Sequence, residues 1–413
     1  MPKITQGRII GVLLSISLLI LAYSFIKFHT LEKSPTSLET LTVASNETLR
    51  FHVIGDYGLL DPVYDYPILP LKSVATAMGK RAESYPISMI MTTGDNIYPQ
   101  IDSLLDSKFF KVFEEIFKVN GLLNIPWYLA YGNHDCYYSN NFGETLSKLY
   151  PQLSMPTAPW NLTLNMSNFS VSLTFLSCNL HCHKPTPNPY LIKYCNSVNP
   201  SNSTFSEYSW LESHLKSISS QSHITWNLVF IHYPIFSASA GFGDTDSLQK
   251  YLFPLLQKYQ VDAVFSGHTH NMQYFVANKT VGFVHQNYSM NCYKKSHIIC
   301  KGIPKMCWNH DVECEEDKCE NKLSFEGMRE RINGDRNQRY KKGEYIHQIV
   351  QGASGGLLDP LCELDNPMAL PLFGIAEYGF TEVELSKDYM KTRFILANSS
   401  RIEYETVIYR EDD

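Results

Sequence analysis

The chain is predicted to be an α/β protein, and three observations predict it. Short runs rich in Val, Ile, Leu, Met and Phe recur along its first 283 residues, segments of helical spacing separate several of them, and five of the runs end at a turn carrying Asp, Asn, His or Tyr. In α/β sheets the carboxyl ends of strands are where chemistry is placed. The 413 residues are 44% hydrophobic, enough for one large core or a core with insertions. A formal charge of −6 with no long basic run gives nucleic acid no purchase.

The first element is not part of that core. Lys3 and Arg8 precede an apolar run over residues 9–26, interrupted only by Gly11, Ser15, Ser17 and Ser24. A membrane helix needs about 20 such residues, and a cleaved signal needs fewer plus small residues before the cut, for which Ala22-Tyr23-Ser24 would serve. Signal peptide and signal anchor both send the chain into the secretory pathway, as a secreted, lumenal or membrane-anchored protein, type II if the segment stays. Ten cysteines and eight N-x-S/T sequons (Asn46, Asn161, Asn165, Asn168, Asn202, Asn278, Asn287 and Asn398) agree with that address. Residues 27–49 are polar and read as a linker, leaving residues 50–413 as the main domain.

Along that domain, F-H-V-I-G-D-Y-G over residues 51–58 is a strand, a glycine and then Asp56. Residues 70–84 have helical spacing (Leu71, Val74, Ala75, Met78), and the run Ile87, Met89, Ile90, Met91 leads to T-T-G-D-N-I-Y, with Asp95 and Tyr98. This β-α-β unit places Asp56 and Asp95 on one sheet edge. Residues 101–118 read as a helix, followed by I-P-W-Y-L-A-Y-G-N-H-D, which ends in Asn133, His134 and Asp135. Residues 136–206 are rich in Pro, Asn and Ser, with an alternating strand of a second sheet at 169–176. A helix over 208–218 precedes N-L-V-F-I-H-Y-P, which ends in His232. Another over 247–259 precedes V-D-A-V-F-S-G-H-T-H, which ends in His268 and His270. Two His at i and i+2 reach one centre only where a strand gives way to a turn.

Each of these polar groups alone is an ordinary turn residue, but five in succession after buried strands point to a metal site. A carboxylate such as Asp95 can bridge two ions. A phenolate suits a hard trivalent cation, whereas an Asn carbonyl and two imidazoles suit a borderline divalent one.

The motifs G-D-Y-G, G-D-N-I-Y, G-N-H-D, the His of I-H-Y-P, and G-H-T-H resemble the five motifs of the calcineurin-like metallophosphoesterases. The Tyr of the second motif, with W-Y-L-A-Y-G-N-H-D, Y-S-W-L-E-S-H-L and G-H-T-H-N-M-Q-Y, resembles the small, tartrate-resistant type of purple acid phosphatase. The similarity spans about residues 51–283 and resumes near 348–356. It implies a two-sheet β-sandwich flanked by helices. It also implies Fe(III) held by Asp56, Asp95, Tyr98 and His270, and Fe(II), Zn(II) or Mn(II) held by Asp95, Asn133, His232 and His268. The implied reaction is hydrolysis of phosphate monoesters at acid pH by a metal-bound hydroxide, with His134 protonating the leaving alkoxide.

Two departures stand out. The family's further His shortly after the fourth motif is absent from S-A-S-A-G-F-G over residues 237–243. An insertion over about residues 287–343 holds Cys292, Cys300, Cys307, Cys314 and Cys319, and reads as a disulfide-stapled surface loop, with Cys362 one candidate partner for the odd cysteine. Partner recognition and membrane-proximal docking are both open to it. These departures keep a second function in play, a phosphatase-fold membrane receptor or scaffold of the glideosome-associated type.

Overall fold

The strand runs pair into two mixed sheets that face one another. The computed structural model describes residues 40–42, 47–58, 69–98, 110–135, 142–176, 203–239, 245–278, 328–329, 331–333, 338–362 and 368–410, all within the unit Thr40–Asp413. The first sheet has nine strands, in the order β1 (Thr40–Thr42), β6 (Trp160–Asn165), β7 (Ser170–Phe175), β8 (Ile224–Phe230), β9 (Ala263–Ser266), β14 (Tyr345–Gln351), β10 (Met272–Asn278), β16 (Ala369–Ile375) and β12 (Arg331–Asn333). The second has eight, in the order β13 (Gln338–Lys341), β19 (Ile402–Tyr409), β18 (Tyr389–Leu396), β17 (Gly379–Ser386), β2 (Thr48–Ile54), β3 (Met89–Thr92), β4 (Trp127–Tyr128) and β5 (Leu153–Ser154). A small pair, β11 (Met328–Arg329) and β15 (Leu361–Cys362), stands apart.

Each sheet contains a parallel run, β7-β8-β9-β14 in the first and β2-β3-β4-β5 in the second. Parallel runs are buried on both faces, which is why these strands read as continuous apolar stretches. The faces that meet carry the largest core. Trp160, Phe175, Phe230 and Phe265 are register partners on β6 to β9, and their rings stack at 4.0, 4.8 and 4.8 Å. Burying a side chain of that size contributes about 1.5–3 kcal/mol, so the ladder is a firm backing for the strand ends above it.

Helices cover the outer faces. Helix α1 (Leu69–Ser84) buries Leu71, Val74, Ala75, Met78 and Ala82, the stripe that its 3.6-residue period predicts. It packs with α2 (Phe110–Ile116) on the second sheet. A short helix, α3 (Phe142–Leu149), leads into β5. On the first sheet lie α4 (Ser203–Ser219), α5 (Leu248–Leu252) and α6 (Phe253–Lys258). Both α2 and α5 are wound as π-type turns, and Pro254 opens α6. Among the described residues no helix is long and apolar enough to cross a membrane, and the 9–26 run lies outside them.

The structure differs from the sequence reading in three places. Residues 40–42 and 48–49, read as linker, are strand, because β1 adds to β6 and β2 begins at Thr48. Residues 331–333 and 338–341, read as part of a surface insertion, pair with β16 and β19, since backbone partners outweigh a charged composition there. Four strands after residue 368, β16 to β19, complete the two sheets without any motif having announced them. Cys362 is disulfide-bonded, and the other nine cysteines lie outside the described residues.

Candidate metal centre

Six strand ends converge where the two parallel runs meet. Asp56 follows β2, Asp95 follows β3, Asn133 follows β4, His232 follows β8, and His268 and His270 follow β9, while residues 352–356 follow β14. The turns are strained. Asp56, Asp95 and His268 have φ of 54°, 52° and 66°, making three of the six described non-glycine residues in the left-handed region. Such conformations cost about 1–3 kcal/mol each and persist where surrounding structure holds them. Cross-links do so here: Asp56 N donates to Gly94 O (3.1 Å), Gly267 N to His232 O (2.9 Å), and Gly356 N to Asp56 O (2.7 Å).

Glycines make the close approach feasible. A Cβ on Gly132 would fall on the Asp95 carboxylate, and one on Gly94 would lie 2.6 Å from Gly132 N and 2.7 Å from His232 Nδ1. Gly94 also needs its φ of 100°.

All seven residues proposed as ligands from sequence come together, in two overlapping groups. The Tyr98 hydroxyl lies 2.8 Å from Asp95 Oδ2, 3.1 Å from Asp56 Oδ1 and 3.2 Å from His270 Nε2. Asn133 Oδ1 lies 2.9 Å from His232 Nε2 and 3.2 Å from His268 Nδ1, and Asp95 Oδ1 is 3.5 Å from His232 Nε2. Asp95 thus presents one oxygen to each group, as a bridging carboxylate would. The ligand atoms of Asp56, Asp95 and His232 all lie within 4.8 Å of one another.

Hydrogen bonds outside the cluster set the imidazole tautomers. His270 Nδ1 donates to Leu357 O at 2.6 Å and His232 Nδ1 to Thr93 O at 2.8 Å, so each Nε2 turns towards the centre. The electrostatics call for positive charge. Burial raises the Asp56 carboxyl well above its usual value. Burial also opposes charge on Asp95, yet His232 and His134 beside it hold its carboxyl below the usual range. Burial works against charge on His232 too, but Asp95 and Asp56 push it up to about 9. Buried carboxylates, a phenol and imidazoles, two of them of fixed tautomer, fit a pair of cations, a hard one among Asp56, Asp95, Tyr98 and His270 and a borderline one among Asp95, Asn133, His232 and His268.

His134, the candidate acid, sits at the mouth. Its backbone N–H donates to Asp95 Oδ1 (2.9 Å), its ring lies 4.4 Å from the Tyr98 ring, and its side chain is 30% exposed.

Sequence reasoning missed the residues that hold these turns together. Buried Asp135 accepts from Gly132 N (2.8 Å), Asn96 N (2.9 Å) and Asn96 Nδ2 (2.8 Å), while Asn96 Oδ1 accepts from Tyr57 (2.7 Å) and Thr92 (2.9 Å). Burial, with Asp95 nearby, pushes the Asp135 carboxyl up to about 7. One Asn-Asp pair thus joins the turns carrying Asp56, Asp95 and Asn133. Asp359 accepts from His270 N at 3.0 Å, and Gly352 and Gly356 leave room for Asp56 and the His270 ring. The signal for the glycines was the run Q-G-A-S-G-G; Asp359 had none. The segment 240–243, where the further His is absent, lies outside the described residues.

The chain is similar to known phosphoesterases. The family model described as calcineurin-like phosphoesterase matches residues 49–272. Tartrate-resistant acid phosphatase type 5 of Oryctolagus cuniculus is 31% identical over 242 residues, covering 57% of this chain and 71% of the relative. Purple acid phosphatase 3 of Arabidopsis thaliana is 28% identical over 265 residues, covering 63% and 68%. Among solved structures, GAP50, the anchor in the inner membrane complex of Plasmodium, superposes with a TM-score of 0.56 at 16% identity, covering 89% of this chain and 90% of that one. The purple acid phosphatase PPD1 from yellow lupin seeds gives 0.53 at 14% identity, covering 89% and 54%. Both structural likenesses speak to the fold.

Proposed function

The chain belongs to the calcineurin-like phosphoesterase family, and from that premise we propose that it is an acid phosphatase acting on phosphate monoesters. One observation carries the reading: the Tyr98 hydroxyl within 2.8–3.2 Å of Asp95, Asp56 and His270. A phenol in that position is the added donor that a ferric ion favours. In this reading Asp56, Asp95, Tyr98 and His270 hold Fe(III), and Asp95, Asn133, His232 and His268 hold Fe(II), Zn(II) or Mn(II). When bound, the pair supplies Lewis acidity that grips phosphate oxygens and acidifies water even at low pH.

The chain's own groups do the rest. Leu357 O and Thr93 O keep the imidazole lone pairs of His270 and His232 turned inward. The Asp95 carboxylate anchors the His134 backbone, so the half-buried ring faces the leaving-group side and gives its proton to the departing alkoxide. With no His in residues 237–243, that duty falls on His134.

We place the protein in the secretory pathway, secreted, lumenal or anchored through residues 9–26, on the strength of that run, the sequons and the cysteines. The complete ligand set supports catalysis over a scaffold role. The test is metal analysis of the purified protein with p-nitrophenyl phosphate hydrolysis at acid pH. Two bound metals and turnover that Asp95→Asn lowers by orders of magnitude are expected, and Tyr98→Phe should bleach the visible band of the oxidised iron form. A metal-loaded protein without turnover would favour the scaffold.

A further inference from the structure

A second site lies far along the second sheet from the metal centre. At its β18-β19-β13 end, alternate residues face outward: Tyr389 and Lys391 on β18, Glu405, Val407 and Tyr409 on β19, and Arg339 on β13. With Asp388 and Arg410 they line an open groove of about 540 Å³.

The charges of the groove are unbalanced in a chain whose net charge is −6. Beside it on the same face, Arg50, Arg81 and Arg393 meet Glu382, Glu384 and Glu405 in a set of ion pairs that His52 also adjoins. Glu405 is therefore spoken for, by Arg393 Nε at 2.6 Å. Among the described residues no ion pair joins Arg339, Lys391 or Arg410 to a carboxylate, since Glu405 in the lining and Glu384 across from Lys391 are both held by Arg393, which leaves Asp388 to oppose them.

The groove is also stiff. The Tyr389 hydroxyl donates to Glu384 at 2.6 Å, Lys391 lies 5.3 Å over the Tyr389 ring, and Arg339 lies 5.5 Å over Tyr409. Cations held against aromatic faces lose little freedom on meeting an anion.

We infer that this groove binds a polyanionic glycan, a sulfated or phosphorylated sugar chain. A recessed floor does not suit the plane of a bilayer. Backbone groups point within the plane of the sheet, where β19 and β18 are paired on both sides and β13, the edge strand, is open only on the side away from β19, so a peptide extending the sheet would lie beside the groove and not in it. What the groove offers is spaced cations on tyrosine rings, which suits anionic groups spaced along a sugar chain.

The test uses the full-length protein and a sulfated heparin-type oligosaccharide, with binding followed by calorimetry at low and high salt. Binding that salt weakens is expected, with a loss of about tenfold for each cation removed in Arg339→Gln, Lys391→Gln and Arg410→Gln. Phosphatase activity and melting temperature should be unchanged. Lys391 should also be protected from acetylation by the oligosaccharide, a reading that needs no variant. Residues 411–413 are Glu-Asp-Asp and lie outside the described residues, so the same titration is run with Glu411→Gln, Asp412→Asn and Asp413→Asn. Binding that appears only in that variant would overturn the proposal in favour of the chain's own tail. Equal binding of a poly-glutamate peptide or of anionic vesicles, or full binding by the triple cation variant, would overturn it as well.

Discussion

His134 and Asp135 follow Asn133 directly, yet they serve the centre in opposite ways. His134 is the half-buried one, its backbone N–H on Asp95 Oδ1, its Nε2 3.9 Å from Asp95 Oδ2 and its ring tilted against that of Tyr98. His134→Ala should lower kcat for alkyl phosphates by about 10²–10⁴-fold, the usual contribution of a positioned acid. Aryl phosphates should suffer less, because their leaving groups need little protonation. A series of esters of graded leaving-group pKa checks this, and equal losses across the series would remove the role. Asp135 is the buried one. Asp135→Ala strips the acceptor from Gly132 N, Asn96 N and Asn96 Nδ2, and each buried donor left unmet costs about 1–3 kcal/mol. Thermal melts should shift downward and metal content should fall together, since the turns bearing Asp95 and Asn133 lose their tie. An unchanged melt with full metal would show the pair to be dispensable. Only His134 was legible as functional from sequence. Asp135 looked like one more turn residue, because its partners are backbone groups and an amide 39 residues away.

Between elements, the joint of α1 with β17 and β18 is ionic. Arg81 on α1 meets Glu382 at 2.8 Å, and Glu384 accepts from Arg50 at 2.9 Å, Arg393 at 3.2 Å and Tyr389 at 2.6 Å. Burial opposes the charge on Glu384, but Tyr389, Arg50 and Arg393 hold its carboxyl down at about 2, against an ordinary 4.5. A depressed carboxylate stabilises the fold above its unfolded pKa, and that contribution is lost as pH falls through the folded one. Glu384→Gln should therefore be less stable than the parent at pH 6, with the gap closing between pH 4.5 and about 2. Urea melts across that range test it, and a gap that persists at the acid end would mean packing rather than charge. Acid tolerance of this joint suits an enzyme proposed to work at low pH. Helix α1 itself was plain from its period, whereas the π-type winding of α2 and α5 was not. The same apolar spacing supports either helix, and only neighbouring packing selects the wider turn.

For the whole molecule, the metal centre is the seam between the sheets: Asp56, Asp95 and Asn133 come from one, His232, His268 and His270 from the other. Cations bound there link both halves, so stripping them with a chelator should lower the melting temperature of the entire domain in one transition. A ligand at 100 times its Kd adds about 2.7 kcal/mol, the scale of the loss to look for by calorimetry. A stripped protein that melts with the parent would show that the seam holds without metal. The sequence by itself determined the α/β class, the helices over residues 70–84, 208–218 and 247–259, and all seven candidate ligands. Each of these local features is written within about fifteen residues, as a period of apolar side chains or as a strand, a turn and a polar group. The tertiary structure alone decided that two sheets share the ligands, that residues 368–410 complete those sheets, that Asn96 and Asp135 tie three turns together, and that a basic groove forms at the far strands. Those features are pairings across long separations, such as Thr93 Oγ1 on Gln351 O, 258 residues apart. A strand carries its own period, but its neighbour is chosen by the packing of the whole core.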